Sequence, residues 1–226
     1  MRPLYALLFF LAGTAMLMLL YRNELLLFGL MSACALACLY MDKWKNAKRF
    51  LAAMLIGGAC ENIAVMIGGW HYSFSNYLYA PLWLPVGWGM AYIFLCDMVP
   101  RKKEVPYKFR LGKEETLELL FSIGGIFLAF GGSFLTSYYH FDEIGVLIGF
   151  IGVTVGLFII GFHRLSDIKA GLAAAFLGTG METLCIITGN WHYMSAVFRT
   201  PLWLPFCWFN AFLIMSRTID GSRSCS

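Results

Sequence analysis

Long apolar stretches alternate with short polar ones along almost the whole chain. Most of the apolar stretches approach the roughly 20 residues that a helix needs to cross the hydrocarbon core of a bilayer. Because lipid offers no partners to an open strand edge, helix is the only element that we expect there. The pattern predicts an all-α membrane bundle of eight transmembrane helices, at residues 3–21, 25–41, 50–69, 81–99, 116–137, 144–162, 170–189 and 201–219.

The composition agrees with this pattern. Hydrophobic residues make up 60% of the chain, charged residues 13%, and the mean hydropathy is +0.70. These values are typical of a polytopic membrane protein and exclude an ordinary soluble domain. The connections are short, so we expect one integrated membrane domain. We interpret residues 3–21 as a helix and not a signal peptide, because no clear small-x-small cleavage site follows them.

The basic residues are distributed unevenly over the predicted connections. Of the 17 Lys and Arg residues, only Arg22 and Arg199 fall on the side opposite the N-terminus. By the positive-inside rule, both termini are expected in the cytoplasm, in a bacterial or archaeal inner membrane. The net charge of +4 therefore reflects topology. No stacking motif or DNA-binding helix accompanies it, so no nucleic-acid partner is predicted.

The chain carries an internal repeat. Residues 57–90 and 178–210 share a glutamate, a Trp-His-Tyr triplet, the sequence Pro-Leu-Trp-Leu-Pro and a final tryptophan, at an offset of 121 residues that shortens to 120. We predict two halves of four helices each, residues 1–115 with a cytoplasmic linker and residues 116–226. Four is an even number, so both halves insert the same way round, as a parallel repeat about a pseudo-two-fold axis along the membrane normal.

Each half places one glutamate, Glu61 or Glu182, within an apolar stretch, nine residues before Trp70 or Trp191. Nine residues of straight helix span about 13–14 Å, which puts the carboxyl groups near mid-membrane. Insertion of a charge there costs roughly 2.5–3.5 kcal/mol, and burial disfavours the charged form. We interpret the two glutamates as catalytic. The alternative is a protonated glutamate that binds a carbonyl of a neighbouring helix.

The position of one carboxyl group relative to the other cannot be read from the spacing. They either share a proton across the pseudo-axis or serve their own halves separately.

Aromatic and histidine side chains of the repeat form the predicted substrate-binding walls around the glutamates. These residues are Trp70, His71, Tyr72, Trp83, Trp88, Trp191, His192, Tyr193, Trp203 and Trp208. The alternative interpretation of the two Trp-His-Tyr triplets is a belt at the membrane–water interface. The two histidines could meet across the axis, but no third ligand is evident and no metal site is predicted.

Prolines and glycines predict further local features. Pro81 and Pro201 suit the first turn of a helix, while Pro85 and Pro205, four residues on, are expected to kink these helices. The sixth predicted helix carries glycines at positions 145, 149, 152 and 156, which favour close packing at the bundle centre or in a homo-oligomer. No CxxC pair or nucleotide-binding glycine pattern is present, so no cofactor is predicted.

The pattern Glu-x8-Trp-x-Tyr, followed by Pro and Trp at the head of the next helix, resembles the integral-membrane carotenoid hydratases. More distantly, it resembles small membrane proteins of the lycopene-cyclase type. The resemblance covers the two 35-residue segments. It implies acid-initiated chemistry on an isoprenoid double bond, with Glu61 or Glu182 as the proton donor.

Three functions are compatible with these features. The first, which we favour, is an enzyme that hydrates, cyclises or isomerises a lipid or isoprenoid, because a buried acid can protonate an alkene and indole faces can stabilise a carbocation. The second is a proton-coupled transporter built from parallel repeats. The third is a non-catalytic scaffold in which the glutamates join helices, so that Glu61→Gln is tolerated. In each case the expected partner is a membrane lipid or an apolar small molecule.

Overall fold

The computed structural model describes residues 3–66, 68–99, 143–159, 165–193 and 198–220. These ranges contain seven helices and two short strands. In chain order they are α1 (Pro3–Leu20), α2 (Glu24–Met41), α3 (Ala47–Met66), β1 (Trp70–Tyr72), α4 (Trp83–Met98), α5 (Glu143–Ile159), α6 (Leu165–Ile187), β2 (Trp191–Tyr193) and α7 (Leu204–Asp220). Seven of the eight predicted helices are thus present. The remaining one, 116–137, lies outside the described residues.

The helices have the character of membrane spans. Among the described residues, three segments are long and apolar enough to cross a bilayer, namely Glu24–Met41, Ala47–Met66 and Ile168–Ile187. Leu4–Leu20, Glu143–Phe158 and Leu204–Ser216 are apolar but shorter. Large apolar side chains also point outward, among them Leu19 and Phe176, which are 79% and 81% exposed. Such exposure is expected where lipid covers the surface. An all-helical membrane architecture is therefore confirmed, although the count of eight spans is not.

Two helix pairs form the centre of the bundle. Helix α3 packs along α4, and α6 packs along α7 in the corresponding way. Helices α1 and α2 cover α4, while α5 covers α7. Contacts of α3 with α7 and of α4 with α6 join the two pairs.

The two strands pair with each other and link the halves of the chain. Strands β1 and β2 are antiparallel, with Trp70 opposite Tyr193, His71 opposite His192, and Tyr72 opposite Trp191. The expectation that only helices would occur is wrong at this point. The facing edges of the two short strands pair with each other, so the backbone N–H and C=O groups along these edges have partners.

A glycine in the left-handed conformation reverses the chain before each strand. Gly68 has φ +84° and Gly189 has φ +82°. The amide of Gly68 donates to the carbonyl of Val65, and that of Gly189 to Ile186, which closes the ends of α3 and α6. Only glycine adopts this conformation without a steric cost from Cβ, which explains its use at both positions.

Pro85 and Pro205, which were expected to kink α4 and α7, lie in the first turn of these helices. Helix α4 begins at Trp83 with Leu82 as its N-cap, so Pro85 is its third residue. Helix α7 begins at Leu204, so Pro205 is its second residue. Backbone N–H groups in the first turn have no partner within the helix, and a proline there removes no bond. These prolines mark helix starts, and the kink prediction was wrong.

Candidate functional site

The chain reversal at Gly68 returns β1 to the side chain of Glu61. The indole nitrogen of Trp70 donates to Glu61 Oε2 at 3.1 Å, and the hydroxyl of Tyr72 donates to the same oxygen at 3.0 Å. The predicted separation of 13–14 Å assumed a continuous helix, whereas α3 ends at Met66. Trp70 is buried. The interpretation of Trp70 and Tyr72 as an interfacial belt is therefore wrong.

A third donor reaches Glu61 from α4. The indole nitrogen of Trp88 donates to Glu61 Oε1 at 3.1 Å. Gly57, one turn before Glu61, makes this approach possible, because a Cβ built there would lie 2.3 Å from Cγ of Trp88. Gly58 similarly admits the ring of Pro85, at 2.8 Å from its built Cβ. Gly57 and Gly58 thus allow α4 to pack closely against α3, next to the carboxyl group of Glu61.

The second copy reproduces this arrangement with small differences. The hydroxyl of Tyr193 donates to Glu182 Oε2, and the indole nitrogen of Trp208 donates to Glu182 Oε1 at 2.6 Å. A Cβ built at Gly178 would lie 2.1 Å from Cδ2 of Trp208. Each glutamate therefore receives donors from its own half of the chain. The donors to Glu61 lie in β1 and α4, and the donors to Glu182 lie in β2 and α7.

The two sites meet through Trp88 and Trp208. Their rings stack with centroids 5.0 Å apart and an interplanar angle of 22°. The resulting order in space is Glu61, Trp88, Trp208, Glu182. Of the two arrangements left open by the sequence, the structure combines features of both, since each carboxyl group binds its own half and both face one cavity.

That cavity lies between α1, α2, α4 and α6. Both glutamates line it, together with aromatic side chains that include Phe10, Tyr72, Trp83, Trp88, Trp191 and Trp208. Within the part of the chain that the structure describes, no Lys, Arg or His contributes to the lining. The cavity is thus apolar and aromatic, with its carboxyl oxygens as the main polar groups.

Five predicted site residues do not line this cavity, although two of them, Trp70 and Tyr193, still donate to the glutamates. His71 and His192 are directly opposite each other in the β-ribbon and are exposed. Trp203 is buried against Phe150, with ring centroids 5.3 Å apart, and also contacts the ring of Tyr193. Its indole nitrogen has no partner among the described residues. The structure therefore separates the histidines and Trp203 from the residues grouped around the cavity.

A second pair of buried glutamates was not predicted to be part of any site. Glu24, the first residue of α2, accepts hydrogen bonds from the backbone N–H groups of Asn76 at 2.8 Å and Leu82 at 2.7 Å. Glu143, the first residue of α5, accepts one from the backbone N–H of Leu202. Both side chains are only 2% exposed. They hold the segments that lead into α4 and α7.

A signal for this pair is present in the sequence. Glu24 and Glu143 are 119 residues apart, close to the offset of the repeat, and each stands at the start of an apolar stretch. The correspondence extends the repeat to α2 and α5.

No family model matches the sequence, and the comparison with curated proteins finds no relative. Two solved structures are similar in fold. One is a mycobacterial Insig homolog, MvINS from Mycobacterium vanbaalenii, with 16% sequence identity and a TM-score of 0.58. The other is a cross-linked trimer of an MvINS variant, with 17% identity and the same TM-score. In both cases the similarity covers 76% of this chain and 89% of the other.

These comparisons correct the resemblance to carotenoid hydratases and lycopene cyclases, which is wrong. The fold is that of an Insig-like membrane protein. The short motif of Glu, Trp and Tyr was misleading, because here it describes hydrogen bonds within each half of the bundle. Together with the apolar helices, the shared fold indicates that the chain is an integral membrane protein.

Proposed function

We propose that this chain is a non-catalytic membrane scaffold that holds a lipid or another apolar molecule in its central cavity. The observation that carries this proposal is the bonding of the two glutamates. Glu61 accepts three hydrogen bonds and Glu182 accepts at least two, all from tryptophan and tyrosine side chains of the chain itself. These hydrogen bonds join α3 to β1 and α4, and α6 to β2 and α7.

The same bonding argues against acid chemistry on an alkene. A general acid must present a proton to its substrate. An indole N–H can only donate, so a carboxyl oxygen that faces it has to act as the acceptor. At Glu61 two of the three partners are indoles. Loss of the hydratase resemblance removes the other support for an enzyme.

The cavity supports a binding role for the scaffold. Its lining is mostly apolar and aromatic with a few polar groups, which is the composition typical of small-molecule sites. Apolar walls with few polar groups favour a ligand that buries mostly hydrocarbon. Gly13 of α1 lines this cavity, and a Cβ built there meets nothing within 4 Å among the described residues.

Gly13→Leu tests the proposal, because it inserts a side chain into the cavity without an internal clash. Gly29→Leu is the matched control. Gly29 also has open space around its built Cβ, but it is exposed on α2 and does not line the cavity. Native mass spectrometry of the purified wild type should show a bound lipid or apolar molecule, which Gly13→Leu loses and Gly29→Leu keeps.

The lipid extracts of producing cells distinguish a scaffold from an enzyme. A scaffold leaves the mass of every lipid unchanged, whether the cells contain the wild type or the double variant Glu61→Gln/Glu182→Gln. A compound that gains water or isomerises only with the wild type would contradict the proposal.

We also infer the repeat architecture and its orientation. Equivalent hydrogen bonds in the two halves of the chain, at Glu61 and Glu182 and again at Glu24 and Glu143, support two four-helix halves, residues 1–115 and 116–226. An additional helix at 116–137 would complete the second half. The charge distribution supports cytoplasmic termini. Cysteine labelling of positions 2 and 223 from either side of the membrane tests this orientation.

We further infer that the chain forms a homo-oligomer through α5. Built Cβ atoms at Gly149, Gly152 and Gly156 meet nothing within 4 Å among the described residues, so this glycine face is available to another helix. The cross-linked trimer of MvINS supports oligomerisation of the shared fold. Gly152→Leu should reduce the oligomer mass measured by light scattering, and an unchanged mass would exclude α5 as the contact.

A further inference from the structure

We propose that His71 and His192 form a binding site for a divalent transition metal ion on the exposed face of the β-ribbon. The two strands pair so that these histidines lie directly opposite each other. Both are exposed, and neither lines the central cavity. The inference therefore goes beyond the apolar ligand proposed above and does not depend on it.

The register places both imidazoles on one face of the ribbon. Successive residues of a strand point to opposite faces, and directly opposite residues of an antiparallel pair point to the same face. Tyr72 bonds to Glu61 and Tyr193 bonds to Glu182, which assigns the two tyrosines to the inner face. The histidines beside them in sequence consequently share the outer face.

The spacing of the pair suits a single ion. The Cβ atoms of directly opposite residues in antiparallel strands lie about 4.5–5.5 Å apart. Side chains paired by this register do meet on the inner face, where the ring centroids of Trp70 and Tyr193 are 5.5 Å apart and those of Tyr72 and Trp191 are 5.4 Å apart. A metal ion lies about 2.0–2.1 Å from an imidazole nitrogen, so two imidazoles at this separation can bind the same ion.

The ribbon is held in place independently of any metal. Its inner face is bonded to α3 and α6 through the two glutamates. Beyond the strands, the amide of Ser73 donates to the carbonyl of Asn190 at 2.8 Å, which continues the pairing. An ion therefore meets two ligands whose backbones are already fixed, and little ordering is required for binding.

The ligand type defines the class of metal. Neutral imidazole suits Zn²⁺, Ni²⁺ and Cu²⁺, and Cu²⁺ should bind most tightly of these. No third His, Cys, Asp or Glu joins the pair among the described residues, and the exposed face leaves the other coordination positions open to water. Because each histidine belongs to a different half of the chain, a shared ion links the two halves.

A Cu²⁺ titration of the full chain in detergent tests the site, with the protein purified without a polyhistidine tag and with accessible cysteines alkylated. Pulsed EPR at one equivalent of Cu²⁺ reports how many imidazoles coordinate the ion. We expect two in the wild type and one in His71→Thr or His192→Thr, with at least a 10-fold loss of affinity in each variant. Threonine suits a strand, so the ribbon should keep its pairing.

Two controls separate this site from the rest of the molecule. His140→Thr removes a histidine from the predicted connection at 138–143 and should retain the affinity and the two-imidazole spectrum. Gly13→Leu, which fills the cavity, should also leave Cu²⁺ binding unchanged. In addition, Zn²⁺ should slow hydrogen–deuterium exchange of the amides in β1 and β2 in the wild type, because a shared ion opposes separation of the strands.

The wild-type spectrum decides the proposal even if a variant does not fold. A single coordinated imidazole in the wild type overturns it, since the pair then shares no ion. Equal affinities of the wild type and both single variants also overturn it and indicate adventitious binding elsewhere on the chain. A loss in His140→Thr as large as that in His71→Thr contradicts the assignment to the ribbon. None of these results bears on the ligand of the cavity.

Discussion

The indole rings of Trp88 and Trp208 stack on each other at 5.0 Å while their N–H groups point to different glutamates, Glu61 and Glu182. Each indole therefore combines three roles. It donates to the carboxylate of its own half, packs against the equivalent residue of the other half, and forms part of the cavity wall. A substitution that keeps an aromatic ring and removes the N–H can separate these roles.

Trp88→Phe tests the hydrogen bond to Glu61. Phenylalanine keeps an aromatic ring beside Trp208, but Oε1 of the half-buried Glu61 loses its donor. Loss of a hydrogen bond to a charged or buried group costs about 1–3 kcal/mol, so the thermal midpoint in detergent should fall by several degrees. Trp44→Phe is the control, because Trp44 is 53% exposed and lies in the turn between α2 and α3. Equal midpoints for the two variants would contradict the role of this bond.

Gly178→Ala should destabilise the second site by steric overlap. Its Cβ would lie 2.1 Å from the ring of Trp208, which forces the indole away from Glu182. Overpacking of this kind costs about 1–3 kcal/mol or more. At Gly180, on the same helix, a built Cβ meets nothing within 4 Å among the described residues. Gly180→Ala should therefore be neutral or stabilising in the same thermal assay, and a similar loss at both positions would disprove the close approach.

Gly68→Ala isolates the cost of the left-handed turn. A built Cβ at Gly68 has no neighbour within 4 Å, so any loss of stability comes from the backbone conformation. The expected loss is about 1–2 kcal/mol. Asparagine tolerates this conformation better than alanine, and Gly68→Asn should recover part of the loss. If alanine proved harmless, the reversal that delivers Trp70 to Glu61 would not depend on glycine.

Glu24→Ala should loosen the segment before α4. Its two oxygens accept from the backbone of Asn76 and Leu82, and both amides then lack their partner. Hydrogen–deuterium exchange should accelerate at Asn76 and Leu82, while the amides in the middle of α4 remain protected. Arg22→Ala, two residues earlier, serves as the control. Unchanged exchange at Asn76 would mean that Glu24 does not hold this segment.

The sequence predicted the described helices well because they depend on local patterns. Apolar stretches of bilayer length predicted all seven described helices with shifts of a few residues at their ends. The offset between Glu61 and Glu182 correctly indicated two equivalent positions. In the structure Trp88 donates to Glu61, while the catalytic and substrate-binding roles that the sequence suggested for these residues stay predictions.

The site geometry could not be predicted because it depends on where α3 ends. A continuous helix separates Glu61 from Trp70 by more than 10 Å, whereas an end at Met66 and a reversal at Gly68 bring them into contact. Apolar pattern does not distinguish these two courses. The functions of Glu24 and Glu143 were missed for a related reason, since their partners are backbone amides more than 50 residues away.

The β-ribbon also constrains the order in which the molecule assembles. Each glutamate finds its donors within about 27 residues of sequence, so either half can complete its own bonds soon after it enters the membrane. The pairing of His71 with His192 spans 121 residues and has to wait until β2 has been synthesised, after α6. Closure of the ribbon is therefore a late event in biogenesis. A chain that stops before β2 would expose an unpaired strand to the quality-control machinery of the cell.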